Sequence, residues 1–189
     1  MWQFNGLTPY QDDTKDLKMR ISTGALKLSM GTTALVTGAS SWATVFYQGV
    51  IYCYDGTQPE DADDAITTQT QVCIISLNGG AFAHGTGTNG LVFGTPTTSG
   101  TGAAKIGSLP KPALTLWAGT CGTLSGTKTI TWARFVGNAT DGFGLSTTLP
   151  RIQMTASIAN STGELQLNTV TCVTGTEVQV AGFDLKLAV

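Results

Sequence analysis

Charge is scarce in this chain. Asp, Glu, Lys and Arg make up only 12% of its 189 residues, about half the usual share. A surface so poor in charge does not all face water, and a subunit packed among neighbours fits it. The basic residues are scattered and the formal net charge is −2, so no basic stripe marks a nucleic-acid partner. Histidine is scarcer still. His84 is alone, and any Ser/His/acid catalysis would depend on that one loop-edge residue in AFAHGTG; neither a GxSxG elbow nor a Walker A pattern occurs. Long apolar runs are missing. None approaches the roughly 20 residues of a membrane-spanning helix, and MWQFNGLTPYQDDTKD lacks the basic and apolar regions of a secretory signal. The expectation is a protein made in a cytoplasm. The four cysteines, Cys53, Cys73, Cys121 and Cys172, include no CxxC pair, which argues against zinc. In a cytoplasm they should be buried free thiols; under oxidation Cys53 and Cys73 are the first pair to test, because their strands flank one loop.

Glycine and threonine are abundant instead, with 24 and 32 residues. Both weaken helices, and β-branched Thr favours strands. One short helix is expected in STGALKLSM (Ser22–Met30), capped by Ser22 or Thr23 and weakened by Gly24. From Thr44 onward the pattern is β. Strands are predicted over Val45–Tyr54, Gln71–Leu77, Ala113–Ala118, Thr129–Val136, Arg151–Ala159, Glu164–Asn168 and Glu177–Val189. QVCIISL is apolar on both parities, which predicts burial on both faces. In the last segment Val178 and Val180 share one parity, whereas Phe183, Leu185 and Leu187 share the other. Side chains alternate with period two, so a bulge at Gly182 is needed to keep both sets in the core. The predicted core comprises Ile130, Trp132, Ile152, Met154, Ile158, Leu165, Leu167, Phe183 and Leu185.

Strands joined by Gly/Thr/Ser turns, without long helical patterns, indicate an all-β fold. The expected form is an antiparallel, jelly-roll-like β-sandwich over residues 22–189, preceded by an extended N-terminal arm, residues 1–21. The arm holds Trp2, Phe4 and Tyr10 without strand periodicity. Aromatic side chains need somewhere to pack, and these three are the candidate anchors on a neighbouring subunit.

Two stretches invite a chemical reading. GTGTNG (Gly85–Gly90) matches GxGxxG, but a dinucleotide site needs a helix next. LVFG follows and is strand-like, so the stretch reads as a turn and no cofactor is expected. YDGTQPEDADDA (Tyr54–Ala65) crowds Asp55, Glu60, Asp61, Asp63 and Asp64 into twelve residues. It lacks the ligand spacing of a calcium loop, although Asp61 and Asp63 could share a Ca²⁺ with a carbonyl. The reading preferred over a metal site is a solvated turn, set by Gly56 and Pro59, whose Asp side chains cap local amides.

Several short motifs stand in a fixed order: Ser22-Thr23-Gly24, Gln58-Pro59, Ala62-Asp63, Gly79-Gly80-Ala81-Phe82, Asn89-Gly90-Leu91-Val92-Phe93-Gly94, Trp117-Ala118-Gly119, Trp132-Ala133-Arg134-Phe135 and Ser146-Thr147-Thr148-Leu149-Pro150-Arg151. Taken in order across roughly residues 22–187, they resemble a family of tailed-bacteriophage virion structural proteins. CYDG replaces that family's usual Y-[ST]-G, and the arm is longer than its pattern. The resemblance implies a protein without enzymatic activity or cofactor, located in the virion and made in the host bacterial cytoplasm. Its partners would be other virion proteins, the major capsid protein or tail subunits, and it would be a homo-oligomer in the particle, with no nucleic acid or membrane partner. A capsid-associated decoration or cement protein is the favoured placement, and a tail or adsorption-apparatus component the second. A different class, a carbohydrate-binding β-sandwich module, would stack Trp117 or Trp132 on a sugar ring.

Overall fold

The computed structural model describes residues 19–29, 42–95, 97–99, 106–161 and 163–188. Its first elements turn on one hydroxyl. Between β1 (Arg20–Ile21) and α1 (Thr23–Ser29), Ser22 Oγ accepts the amide of Ala25 at 3.0 Å, which caps the helix. The same oxygen accepts the amide of Arg151 at 2.8 Å and donates to the Leu149 carbonyl at 2.9 Å. A side chain on Gly24 would overlap the Thr148 and Leu149 backbone, so glycine lets α1 lie directly on that segment. The residue that weakens the helix in isolation thus seats it in the fold.

The strand predicted from Val45 starts later. Trp42–Val45 form a single helical turn, α2, in which the Phe46 amide donates to the Trp42 carbonyl at 3.1 Å. That turn drives Phe46 into the core, and β2 (Val50–Asp55) follows. The remaining strands are β3 (Thr70–Leu77), β4 (Thr97–Ser99), β5 (Ile106–Pro110), β6 (Trp117–Thr120), β7 (Lys128–Thr129), β8 (Trp132–Val136), β9 (Arg151–Ile158), β10 (Leu165–Leu167), β11 (Thr171–Cys172) and β12 (Glu177–Ala188).

The main sheet runs β1-β9-β8-β2-β3-β6-β12-β5-β4, and β10 pairs with both β12 and β9. That second pairing closes a seven-strand barrel, β9-β8-β2-β3-β6-β12-β10. Only β10 and β9 run parallel among the barrel pairs. β7 and β11 form a separate two-stranded sheet. The all-β expectation holds. The pairings trace one closed circuit.

Both double-parity strands are explained by bulges. On β12, Gly182 faces Gln166 while Val180 faces Leu167, so Ala181 is the extra residue beside Gly182. Val178, Val180, Phe183 and Leu185 are all buried as a result; the side chain of Leu187 lies outside the described residues. On β3, Cys73 faces Cys53 but Gln71 faces Tyr54, which leaves Val72 unpaired. Val72 and Cys73 both turn inward, while Ile74 is exposed on the outside. The expected burial of QVCIISL on both faces is therefore corrected: the pattern records a bulge.

The interior is lined by Ile51, Ile75, Trp117, Phe135, Ile152, Met154, Leu165 and Phe183, among others. Two corrections follow. Ile158 is 55% exposed, because β9 runs past the packed interior at its end. Ala113–Leu116 is not a strand: Thr115 donates through both its amide and its hydroxyl to the Pro112 carbonyl, closing a turn that leaves Leu114 fully exposed.

Candidate functional site

The acidic stretch of Tyr54–Ala65 lies across the outside of the barrel wall formed by β9, β8 and β2. Alternation sends Ile152, Met154, Ala133, Phe135, Ile51 and Cys53 inward. The outward set is polar and aromatic. Arg20, Gln153, Arg134 and Tyr52 stand in register across β1, β9, β8 and β2. Arg151 sits two residues along β9 from Gln153, on the same face, and Trp132 and Tyr54 stack with ring centroids 4.5 Å apart.

The outward row grips the loop by its backbone. Arg20 donates to the Pro59 carbonyl. Gln153 Nε2 donates to the Asp61 carbonyl at 3.0 Å, Arg151 Nη1 to that of Asp63 at 3.2 Å, and Arg134 Nη2 to that of Asp64 at 2.9 Å. Gln58 and Gln153 join through their side-chain amides. The loop is a strap held by successive carbonyls.

Its carboxylates have a different task. Asp63 Oδ1 accepts the amide of Thr23, Asp61 Oδ1 that of Asp63, and Asp64 Oδ2 that of Asp61, all within 3.0 Å. The amide-capping expectation holds; the solvated turn holds at Gly56, Thr57, Glu60 and Asp61, which are exposed, and is corrected further along. Ala62 is fully buried and Asp63 is 8% exposed, because the arginines pull the strap onto the wall. Among the described residues no group of three or more His, Cys, Asp or Glu side chains is placed to hold a metal ion. Asp61 and Asp63, the candidate calcium ligands, direct carboxylate oxygens at backbone amides.

Among the described residues, the carboxylate that pairs with an arginine here is Asp141, from outside the acidic stretch. Arg151 Nε donates to Asp141 Oδ2 at 2.7 Å and Nη2 to Oδ1 at 2.6 Å, with both side chains 1% exposed. This is a buried, two-pronged ion pair. Arg134 has no such partner. Its Nε and Nη1 are buried without a hydrogen bond, and its guanidinium lies 5.9 Å from the centroid of the Trp132 ring. Burial first, and then Arg151, lower its pKa to about 10, so it remains cationic at neutral pH. Sequence reasoning missed Arg134, Asp141 and Arg151. The available signal was an arginine inside each of the strand patterns WARFV and RIQM, where one face must be covered.

The motifs thus converge. Ser22 and Thr23 of the first, Asp63 of the loop, Arg134 of WARF and Arg151 of STTLPR all bond to one another or to the same strap. The Ser146 amide adds a bond to the Asp63 carbonyl at 2.9 Å. GTGTNG forms turns bridged by Ala83 and Thr88. His84 is a loop-packing residue, hydrogen-bonded to the Tyr52 hydroxyl at 3.0 Å and set edge-on to Phe82. Trp117 and Trp132 are both buried, which removes the two rings proposed to stack on a sugar. Trp2, Phe4 and Tyr10 lie outside the described residues. Met19 and Arg20, at the end of the expected arm, are hydrogen-bonded to Glu164 and Pro59.

No protein-family model matches the chain, nor does any curated protein or solved structure. No helix among the described residues is long and apolar enough to cross a membrane.

Proposed function

We propose that the protein is a non-enzymatic virion component of a tailed bacteriophage, a capsid-associated decoration or cement protein that binds neighbouring virion subunits. The observation that carries this reading is the fate of the motif residues on which the resemblance rests. They are engaged with one another: Ser22, Thr23, Asp63, Arg134 and Arg151 hold a strap against a barrel wall. Such a set preserves a rigid shape, which is what a particle subunit must present to its neighbours. The scarcity of charge supports the same reading.

The finer fold description that goes with it is a flattened, jelly-roll-like sandwich. Its support is aromatic contact across the interior: Phe135 of β8 lies 6.0 Å from Phe183 of β12 and 6.4 Å from Trp117 of β6, centroid to centroid.

The test is location. Particles are disrupted, full heads are separated from tails on a density gradient, and each fraction is probed with an antibody to this chain. The expected result is co-sedimentation with heads. Recovery with tails alone would move the protein to the tail or adsorption apparatus, and absence from both would overturn the virion reading. Deleting residues 2–12, which removes Trp2, Phe4 and Tyr10, should leave the barrel folded and abolish incorporation.

A further inference from the structure

The four cysteines are far apart in sequence and close together in the barrel. Cys53 of β2 lies directly opposite Cys73 of β3. Cys73 is bridged in turn to Cys121, just past β6. Cys121 is tied to the turn that follows Cys172 of β11, its amide donating to the Thr176 carbonyl at 2.8 Å and its carbonyl accepting from the Gly175 amide at 3.0 Å, and both side chains lie in the same interior cluster. All four are buried, unlinked and part of the interior cluster. The four residues therefore neighbour one another in the order Cys53–Cys73–Cys121–Cys172, in single file. A structural zinc needs four ligands around one point, and a file does not provide that; no metal grouping occurs among the described residues. Neither the strap nor the proposed virion role uses these thiols.

We propose that the file is a redox-responsive staple, which a small-molecule disulfide such as oxidised glutathione converts into two bonds, Cys53–Cys73 and Cys121–Cys172. A file of four has one pairing of neighbours that uses every sulfur; a central Cys73–Cys121 bond would leave both ends unpaired. Residues directly opposite in an antiparallel pair have Cα atoms about 4.5–5.5 Å apart, inside the roughly 4.4–6.8 Å that disulfides span. Contact with Cys53 first, and burial second, hold the Cys73 thiol protonated, and burial does the same at Cys121 and Cys172. The closed fold is therefore inert toward exchange.

Entry is from the Cys121–Cys172 end. Thr120, Gly122, Thr171 and Val173 beside these two residues are exposed, and the covering β7–β11 sheet has only two residues per strand, so local opening there requires little disruption. The Cys121 thiolate attacks one sulfur of the glutathione disulfide, and the departing glutathione thiolate takes up the proton that Cys121 lost. Cys172 then attacks the Cys121 sulfur and the second glutathione leaves as its thiol. Two protein thiols are oxidised and one glutathione disulfide is reduced to two thiols. Exchange passes the bond inward: Cys73 attacks the Cys121 sulfur and frees Cys172, then Cys53 attacks the Cys73 sulfur and frees Cys121. A second glutathione disulfide recloses the outer pair.

The full chain is incubated with oxidised glutathione, both folded and during refolding from denaturant, and intact mass and linked peptides are measured. The expected product has lost four hydrogens, shows the two named links, melts at a higher temperature and reverts with reductant. Cys53→Ser should still form Cys121–Cys172, and Cys172→Ser should still form Cys53–Cys73, so one well-folded variant is enough. Four alkylatable thiols after treatment, persistent glutathione adducts, or Cys73–Cys121 as the end product would each overturn the proposal.

Discussion

Asp141→Asn is the sharpest test of the strap. Asp141 receives two bonds from Arg151 and one from the amide of Phe143 at 2.7 Å. Asparagine keeps one oxygen but turns an NH₂ toward an arginine N–H, so donor meets donor. The Arg151 guanidinium keeps one bond to that oxygen and the carbonyls of Asp63 and Gly144, but loses its counter-charge, with cationic Arg134 nearby. Removing one partner of a buried ion pair costs roughly 3–5 kcal/mol. At about 2–4 °C per kcal/mol for a chain of this size, the melting temperature should fall on the order of 6–20 °C. Asp61→Asn is the control. It is exposed, its amide oxygen still accepts from Asp63, and its effect should stay within about 0.5 kcal/mol. Urea denaturation at neutral pH reads both variants, and added salt should not change the Asp141 result, since a buried pair is poorly screened. Replacing both partners, Asp141→Leu with Arg151→Met, should not restore wild-type stability, because the Asp63 and Gly144 carbonyls would still lose a donor. Equal stability of Asp141→Asn and Asp61→Asn would refute the account of how the strap is held.

Three further perturbations probe other parts of the fold. Gly119→Ala places a Cβ against the Ile74 carbonyl where β6 meets β3, and should cost roughly 1–3 kcal/mol in urea denaturation; a neutral result would mean that β3 and β6 lie further apart than described. Burial raises the Glu164 carboxyl above its ordinary value of 4.5, against opposing bonds from Thr155 and Met19. The folded state therefore holds that proton more tightly, and the associated stability is fully present below about pH 4.5 and is lost as pH rises through the folded value. Glu164→Gln should flatten that part of a pH series of urea midpoints, and an unchanged slope would count against it. Chelator should leave the melting temperature unchanged; a drop restored by Ca²⁺ and absent in Asp61→Asn with Asp63→Asn would return the acidic loop to a metal role.

What the sequence displayed depended on which atoms do the holding. The bulge beside Gly182 was legible because Val178, Val180, Phe183 and Leu185 are side chains that switch parity. The matching bulge opposite Cys53 left the same mark in QVCIISL, but double parity also describes a strand covered on both faces, and no glycine distinguished the two. The strap was hidden for a different reason. The carboxylates of Asp61, Asp63 and Asp64 attract notice, yet the atoms that fasten the loop are backbone carbonyls, which every residue has. The place before a helical run offers Ser22 or Thr23 as the cap, and Ser22 takes the role, but its bonds to Leu149 and Arg151 span well over a hundred residues. Barrel closure rests on β10, three residues whose parallel partner β9 and antiparallel partner β12 are not implied by any local pattern.

The order of synthesis gives β12 a particular weight. It is the seventh barrel strand to leave the ribosome, after β2, β3, β6, β8, β9 and β10. Until it arrives, β6 and β10 each present an unpaired edge, and the apolar side chains around Phe135 and Trp117 have no opposite wall. Such a half-built sheet is a template for its own copies on neighbouring nascent chains. The closing contacts are also distant in sequence, which slows their formation. The vulnerable interval in the life of this molecule is therefore the time between release of β10 and docking of β12, and soluble yield should respond to chaperone supply and expression temperature more than to the stability of the finished barrel.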